Sequence, residues 1–374
     1  MTSYRSYILL AFVIGVIATA VTIPLIIAFC RKFGYYDQPN QRKVHKAAIP
    51  RLGGMAFLPS LALSFAVTML VYFSQTMYFA DFHYTAALMV IGAAIVFVIG
   101  GMDDLLDLPA NLKFVILAVG SLALPICNLT LYNLHGFFGI YVVPQWVAYP
   151  LTVLVIMTIV NAINLIDGID GLASGISAIC LAVFIYLYTD LRYIIFTVMS
   201  AGLLGSVLAF MVFNIFGKVG RMKIFMGDAG SLILGYVLAY LAIKYMMVTE
   251  QDIYTDINPI LIPYSLFIVP VFDLVRVAFT RLLAGEPMFH ADQRHIHHIL
   301  MRCGLTMHQT LVVILGLVAF FIFGNLALDD MHVPITIIFF IDIALYLLFF
   351  VVAFVIIDRK ESLRELMDSE VLPF

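Results

Sequence analysis

The run YTAALMVIGAAIVFVIGGMDDLLDL, residues 84–108, joins an apolar segment of bilayer-crossing length to three carboxylates, Asp103, Asp104 and Asp107. About 20 apolar residues in a helix cross the hydrocarbon of a membrane. Charged groups so close to such a span are costly and are kept where they have a use. Asp103 and Asp107 stand at i,i+4 and share a face if the helix continues through them. Like charges that close repel unless a proton or a cation lies between them.

The same apolar pattern recurs along the chain. Of its 374 residues, 63% are hydrophobic and 11% charged, whereas soluble domains carry about 25% charged residues. Long unbroken runs exclude a β-barrel, whose strands alternate over short segments. The fold class is therefore an all-α polytopic integral membrane protein. Eleven helices are expected, over 6–29, 53–73, 84–101, 112–128, 145–163, 172–189, 193–214, 230–248, 258–280, 309–327 and 334–357. Lys and Arg collect in the connections after odd-numbered helices and in the tail, while Arg5, Arg192 and Lys244 fall on the other side. The positive-inside rule then puts the N-terminus outside and the C-terminus in the cytoplasm. With no soluble segment or linker, residues 1–374 read as a single transmembrane domain. The first apolar run is too long for a cleaved signal and reads as a retained helix. Cys30, Cys127, Cys180 and Cys303 form no CxxC pair and read as reduced, packed thiols. The net charge of −3 is uninformative about partners, and nothing marks a nucleic-acid surface.

This topology gathers five polar segments on the cytoplasmic side, near 30–52, 102–111, 161–172, 215–230 and 281–308. In Pro50-Arg51-Leu52-Gly53-Gly54, a guanidinium sits beside glycines that let the backbone approach an anion. Arg42, Lys43 and Lys46 read equally well as bases that set topology. Asn161, Asn164, Asp167 and Asp170 recur every three residues and would form one stripe on a helix or 3₁₀ turn. Such oxygens suit a hard cation such as Mg²⁺; the bland alternative is polar glue between helices. Gly227-Asp228-Ala229-Gly230-Ser231 reads as a plain helix N-cap or as a phosphate-binding helix start. Asp292-Gln293-Arg294-His295-Ile296-His297-His298 suits phosphate and sugar contacts better than zinc, since Cys303 is the one thiol nearby. Together these supply metal ligands, carboxylates and cationic donors, the set that phosphoryl transfer requires. An ion-coupled transporter is the competing class, but it would place such residues near the midplane of two repeated halves, and no repeat is seen.

In this order and over nearly the whole chain, the motifs resemble those of the polyprenyl-phosphate N-acetylhexosamine-1-phosphate transferases. The resemblance implies that undecaprenyl phosphate attacks the β-phosphorus of a UDP-N-acetylhexosamine and that UMP leaves. It implies Mg²⁺, with Mn²⁺ as the alternative, and a site on the cytoplasmic face of the bacterial inner membrane, among membrane lipids. The implied catalytic residues are Asp103, Asp104, Asp167 and Asp170, with Asp103 and Asp104 near the lipid phosphate and one of them as a base. The implied metal ligands are Asn164, Asp167 and Asp228. Substrate contacts fall to Arg51, Asp107, Asn161, Arg294, His295, His297 and His298. His297-His298 is followed by Ile299 rather than a third His, which is similar to the branch that uses UDP-N-acetylglucosamine and starts O-antigen, enterobacterial common antigen or teichoic acid. The phospho-MurNAc-pentapeptide transferases are the alternative branch. Gln293 between Asp292 and Arg294 departs from many relatives, which put the base directly after Asp. A homodimer is compatible with this reading.

Overall fold

The computed structural model describes residues 2–38, 48–76, 84–248, 257–286 and 293–370. Its helices are α1 (Thr2–Phe33), α2 (Phe57–Thr76), α3 (Tyr84–Leu106), α4 (Ala110–Ile126), α5 (Gln145–Ile166), α6 (Leu172–Asp190), α7 (Ile194–Phe216), α8 (Asp228–Met246), α9 (Leu261–Ala284), α10 (Ile296–Arg302), α11 (Met307–Asp330) and α12 (Ile335–Glu370). All eleven expected helices are present, and the seven-residue α10 is an addition. Among the described residues, nine helices are long and apolar enough to cross a membrane. Of the other two long ones, α4 is a shorter apolar helix of 17 residues, and α9 carries Asp273, Arg276 and Arg281. The boundaries follow local chemistry. α4 and α5 start directly after Pro109 and Pro144, where a fixed φ suits a helix entry. α11 opens on a capping box between Thr306 and Gln309.

Two sequence expectations are corrected at helix ends. α3 runs to Leu106, past the expected end at 101, and the chain then turns at Asp107 with φ +48°. Asp103 and Asp107 therefore share no helical face. Instead Asp103 Oδ1 accepts the Leu108 N–H at 2.8 Å and closes the turn. Likewise α5 ends at Ile166, so Asn161 to Asp170 form no continuous stripe. The four thiols are free, as expected. Arg42, Lys43, Lys46 and Asp292 lie outside the described residues.

The middle of the bundle is α8. Only Asp228 and Lys244, near its two ends, escape burial. α3 and α5 pack along it, and α6 and α9 complete its surroundings. Helices in lipid gain nothing from hydrophobicity alone, so close contact depends on small residues. Gly54 and Gly230 bring two backbones together: a Cβ on Gly54 would stand 2.0 Å from the Gly230 Cα. Here a 3₁₀ turn, Gly53–Ala56, meets the first turn of α8. Two short strands, β1 (Tyr36–Asp37) and β2 (Ile49–Pro50), pair antiparallel just before it. The chain then zips onto the residues preceding α8: Phe225 N–H donates to Pro50 at 2.8 Å, and Gly53 and Gly54 donate to Phe225 and Met226 at 2.9 and 2.7 Å. A second hairpin, β3 (Asn133–Phe137) and β4 (Ile140–Val142), lies between α4 and α5.

Overpacking a filled contact costs about 1–3 kcal/mol. Gly54→Ala is expected to lower stability by about that amount in a detergent melt, whereas Gly324→Ala, with open space around it, should leave the melt unchanged.

Candidate active site

One cavity of about 710 Å³ opens where α3 and α5 end and α8 begins. Each of the five polar segments contributes to its wall, through Arg51, Asp104, Asp167, Lys223 and His298 among others. Residues as far apart in sequence as Asp37 and Met307 thus meet in one place.

Asp104 makes the central contact. It is buried, and its Oδ1 and Oδ2 accept the Asp228 and Ala229 N–H groups, both at 2.9 Å. These donors belong to the exposed positive end of the α8 dipole, which favours an anion. Gly227 permits the approach: its φ is +74°, and a Cβ there would lie 2.6 Å from Asp104 and 2.2 Å from the Arg51 carbonyl. Asp228 is consequently held at a fixed point. Its Oδ1 accepts from Asn164 Nδ2 at 2.7 Å, and the same amide donates to Ser231 at 2.8 Å. Its Oδ2 faces Lys113 Nζ at 2.8 Å, which also reaches Asp103 Oδ2 at 2.6 Å. One ammonium therefore bridges two carboxylates that would otherwise repel.

Asp167 differs from its neighbours. It follows α5 directly, and among the described residues no donor reaches its carboxylate. Burial, then the charges of Asp228, Asp170 and Asp104, push its pKa up to about 8. Asp170 is fully engaged instead. It pairs with Lys223 at 2.5 Å, both side chains being nearly buried, and accepts from Asn214 at 3.3 Å. Lys223 also donates to the Asn214 carbonyl. Asn214 in turn accepts from Gly171 N–H at 2.7 Å. This knot ties the turn after α5 to the end of α7 and to the residues leading into α8. Arg51 pairs with Asp107 at 3.2 Å on the cavity rim, where the Asp107 side chain is 83% exposed.

The His segment divides. His298 lines the cavity. His295 points away, its Nδ1 2.8 Å from Asp273, which also accepts the Ile296 N–H and pairs with Arg276 at 2.7 Å. His297 is buried against Gly168, and among the described residues its Nδ1 has no partner. Burial and the two neighbouring imidazoles lower its pKa to about 3, so it is neutral near pH 7. Arg294 pairs with Glu286 at 2.8 Å. Asn161 donates to the Met157 carbonyl at 2.7 Å, within its own helix. Neither Arg294 nor Asn161 forms part of the cavity wall.

Sequence reasoning missed Lys113, Lys223, Asn214 and the Asp273–Arg276 pair. Lys113 and Lys223 entered only as markers of topology. Asp273 and Arg276, charges three residues apart inside an apolar helix, were the signal that was available.

Among the described residues, no three carboxylate, imidazole or thiolate side chains are disposed to hold a metal ion. The donor chemistry nevertheless suits one. Seven aspartates line the cavity against Arg51 and Lys223, and among the described residues Asp167 has no hydrogen-bond donor of its own. Oxygen ligands of this kind take Mg²⁺ or Mn²⁺.

The model of glycosyl transferase family 4 matches residues 86–246. A Bacillus subtilis protein named probable undecaprenyl-phosphate N-acetylglucosaminyl 1-phosphate transferase is 32% identical over 320 residues, 84% of this chain and 82% of that relative. Proteins named undecaprenyl-phosphate alpha-N-acetylglucosaminyl 1-phosphate transferase are similar too. The one from Escherichia coli O157:H7 is 29% identical over 76% of this chain and 74% of its own. The one from Yersinia pestis is 28% identical over the same shares.

Removing one partner of a buried ion pair strands the other charge, at a cost of about 3–5 kcal/mol. Lys223→Met is expected to destabilise the protein by that order in a detergent melt, and Lys223→Met with Asp170→Asn to recover most of the loss.

Proposed function

The chain belongs to glycosyl transferase family 4, and from that premise we propose that it transfers N-acetylglucosamine 1-phosphate from its UDP conjugate to undecaprenyl phosphate. A phosphate oxygen of the lipid forms the new bond to the β-phosphorus of the sugar nucleotide. The bond from that phosphorus to the bridging oxygen breaks, and UMP departs with the electron pair. The product, an undecaprenyl-diphospho-sugar, is the starting lipid for a cell-envelope glycan. The reaction belongs at the cytoplasmic face of the bacterial inner membrane, as the distribution of Lys and Arg supports.

One observation carries this reading: a cavity that must take two phosphorylated substrates is lined by seven aspartates. Carboxylates alone repel phosphate, so the wall makes sense around a divalent cation. Bound there, Mg²⁺ or Mn²⁺ would neutralise pyrophosphate oxygens and the charge that develops on the departing UMP. Asp167, Asp228 and the amide oxygen of Asn164 are the residues to hold it. The chain's own part is positional. Asp104 anchors the start of α8, and Asn164 and Lys113 orient Asp228. Lys113 bridges Asp103 and Asp228, and Lys223, held by Asp170, fixes the turn after α5 at the cavity wall. A phosphate monoester is already mostly anionic at pH 7, so attack needs little from a general base. Asp103 and Asp104 then serve to align the lipid phosphate and the α8 terminus. His298, on the wall, is the member of its segment to meet the sugar nucleotide. His295, through Asp273, and neutral His297, against Gly168, keep that segment in place. Arg294 extends the segment's rim.

The test is UMP release by purified protein with undecaprenyl phosphate and Mg²⁺, with UDP-N-acetylglucosamine, UDP-N-acetylgalactosamine or UDP-muramoyl-pentapeptide supplied separately. Release is expected with the first alone, and only with lipid and metal both present. A preference for the pentapeptide donor would move the chain to the other branch. Lys113→Met should lower turnover by about 10²-fold or more, as expected when a preorganised charge is removed.

Cation binding must also displace the proton on Asp167, whose pKa of about 8 favours the neutral acid at pH 7. The protonated form dominates below that value, so the apparent Mg²⁺ affinity should fall about tenfold per pH unit on the acid side. Calorimetry in buffers of different ionisation heat should show protons released on binding at pH 7. No release would exclude Asp167 as a ligand.

A further inference from the structure

The hairpin β3–β4 lies at the end of the bundle away from the cavity. It touches Met246 at the far end of α8, where His135 Nε2 is 2.9 Å from the Met246 carbonyl. α8 begins at the cavity with Asp228 and has 19 residues. At 1.5 Å per residue it is about 28 Å long, close to the thickness of bilayer hydrocarbon, about 30 Å. The hairpin is therefore one membrane thickness from the chemistry.

It is held rigidly there. Asn258 donates to the His135 carbonyl at 2.8 Å, and Phe138 N–H donates to Thr336 at 2.7 Å. The Phe138 ring meets Phe339 edge-on at 5.6 Å. His135 and Phe138 have φ of +47° and +52°, a conformation that bulky residues adopt only when neighbours enforce it. Leu134 and Phe137 of β3 pack on the core.

The outer strand does the opposite. Ile140, Tyr141 and Val142 are all exposed, Tyr141 at 67% and Val142 at 70%. Trp146, in the first turn of α5, is 78% exposed, and Ile337 and Phe340 at the start of α12 are at least half exposed. In water this would be a contiguous apolar patch beside an open strand edge, which favours aggregation. Deep in hydrocarbon the outer edge of β4, unpaired among the described residues, would lack hydrogen-bond partners. The headgroup boundary satisfies both demands, with apolar bodies in acyl chains and backbone groups hydrated. The flanking exposed residues on α5 and α12 belong to helices read as spans, so the patch continues their lipid-facing surface. Pairing with a second copy is disfavoured because β4 has three residues and is followed by Val143 and Pro144.

We infer that β4 and the start of α5 form an interfacial anchor, a strand seated in the headgroup layer of the leaflet opposite the cavity. Its partner is the lipid surface itself. The anchor braces α4, α5, α8 and α12 at the membrane boundary while the substrates act at the other face.

Trp146 is the single tryptophan of the chain, which gives a direct test. A Trp146→Phe, Tyr141→Trp protein carries one reporter on β4. It is reconstituted in phosphatidylcholine vesicles whose acyl chains are brominated either near the glycerol end or near the chain terminus. The expected result is blue-shifted emission, quenched more by shallow bromines than by deep ones, and largely protected from iodide. Strong iodide quenching without bromine quenching would put β4 in water and overturn the proposal. Protection from both quenchers, varying with protein density, would mean that a second copy covers it, and would overturn it too. An unchanged melt and UMP release establish that the variant is folded. The readout does not depend on which sugar is transferred, so it stands or falls apart from the transferase reading.

Discussion

A carboxylate on one helix holds the open end of another: Asp104, in the last turn of α3, accepts both Asp228 and Ala229 N–H groups of α8. A buried carboxylate is costly unless its charge is compensated and its lone pairs are filled. The first turn of a helix offers both, as free donors and as the positive end of a dipole. The contact fixes the last turn of α3 against the first turn of α8, and it fixes Asp228 in the same act. Everything else at the site is arranged around that point. Asn164 and Lys113 take the two oxygens of Asp228, and the Pro50–Gly54 segment seals its flank. Gly227, Gly230 and Gly54 are there because no side chain fits.

The fold was largely legible because bilayer thickness and backbone hydrogen bonding leave few options to an apolar chain. The eleven long helices emerged from run length, with α3 misjudged at its end because its last turn is charged yet still helical. α10 is too short to show as a periodic segment. The β3–β4 hairpin was invisible because its apolar residues follow no alternation that separates an inside from an outside.

The site was legible as a set of segments but not as a set of partners. Asp103, Asp104, Asn164, Asp167 and Asp228 announce themselves as carboxylates and amides beside apolar runs, and they do converge. Asp170 resembles them in the sequence, yet Lys223, 53 residues later, neutralises it. Lys113 reads as a loop base and turns out to bridge two aspartates. In the His segment, spacing cannot reveal that Asp273 on α9 draws His295 away from the cavity while His298 stays on its wall. Long-range charge pairing decides these roles, and it leaves no local trace.

The result is a molecule with two differently built ends. One is a carboxylate-rich cavity in which, among the described residues, most carboxyl groups are met by a neighbouring donor and Asp167 is not. The other is an apolar edge presented to lipid, about one α8 length away. On the proposed reading the open position receives a divalent cation, and electron paramagnetic resonance of Mn²⁺ added to the purified protein checks this. A bound Mn²⁺ signal that is displaced by Mg²⁺ and lost in Asp167→Asn, with the fold intact by melt, is the result predicted. Mn²⁺ bound with unchanged affinity in that variant, or no bound Mn²⁺ in the unmodified protein, would contradict it.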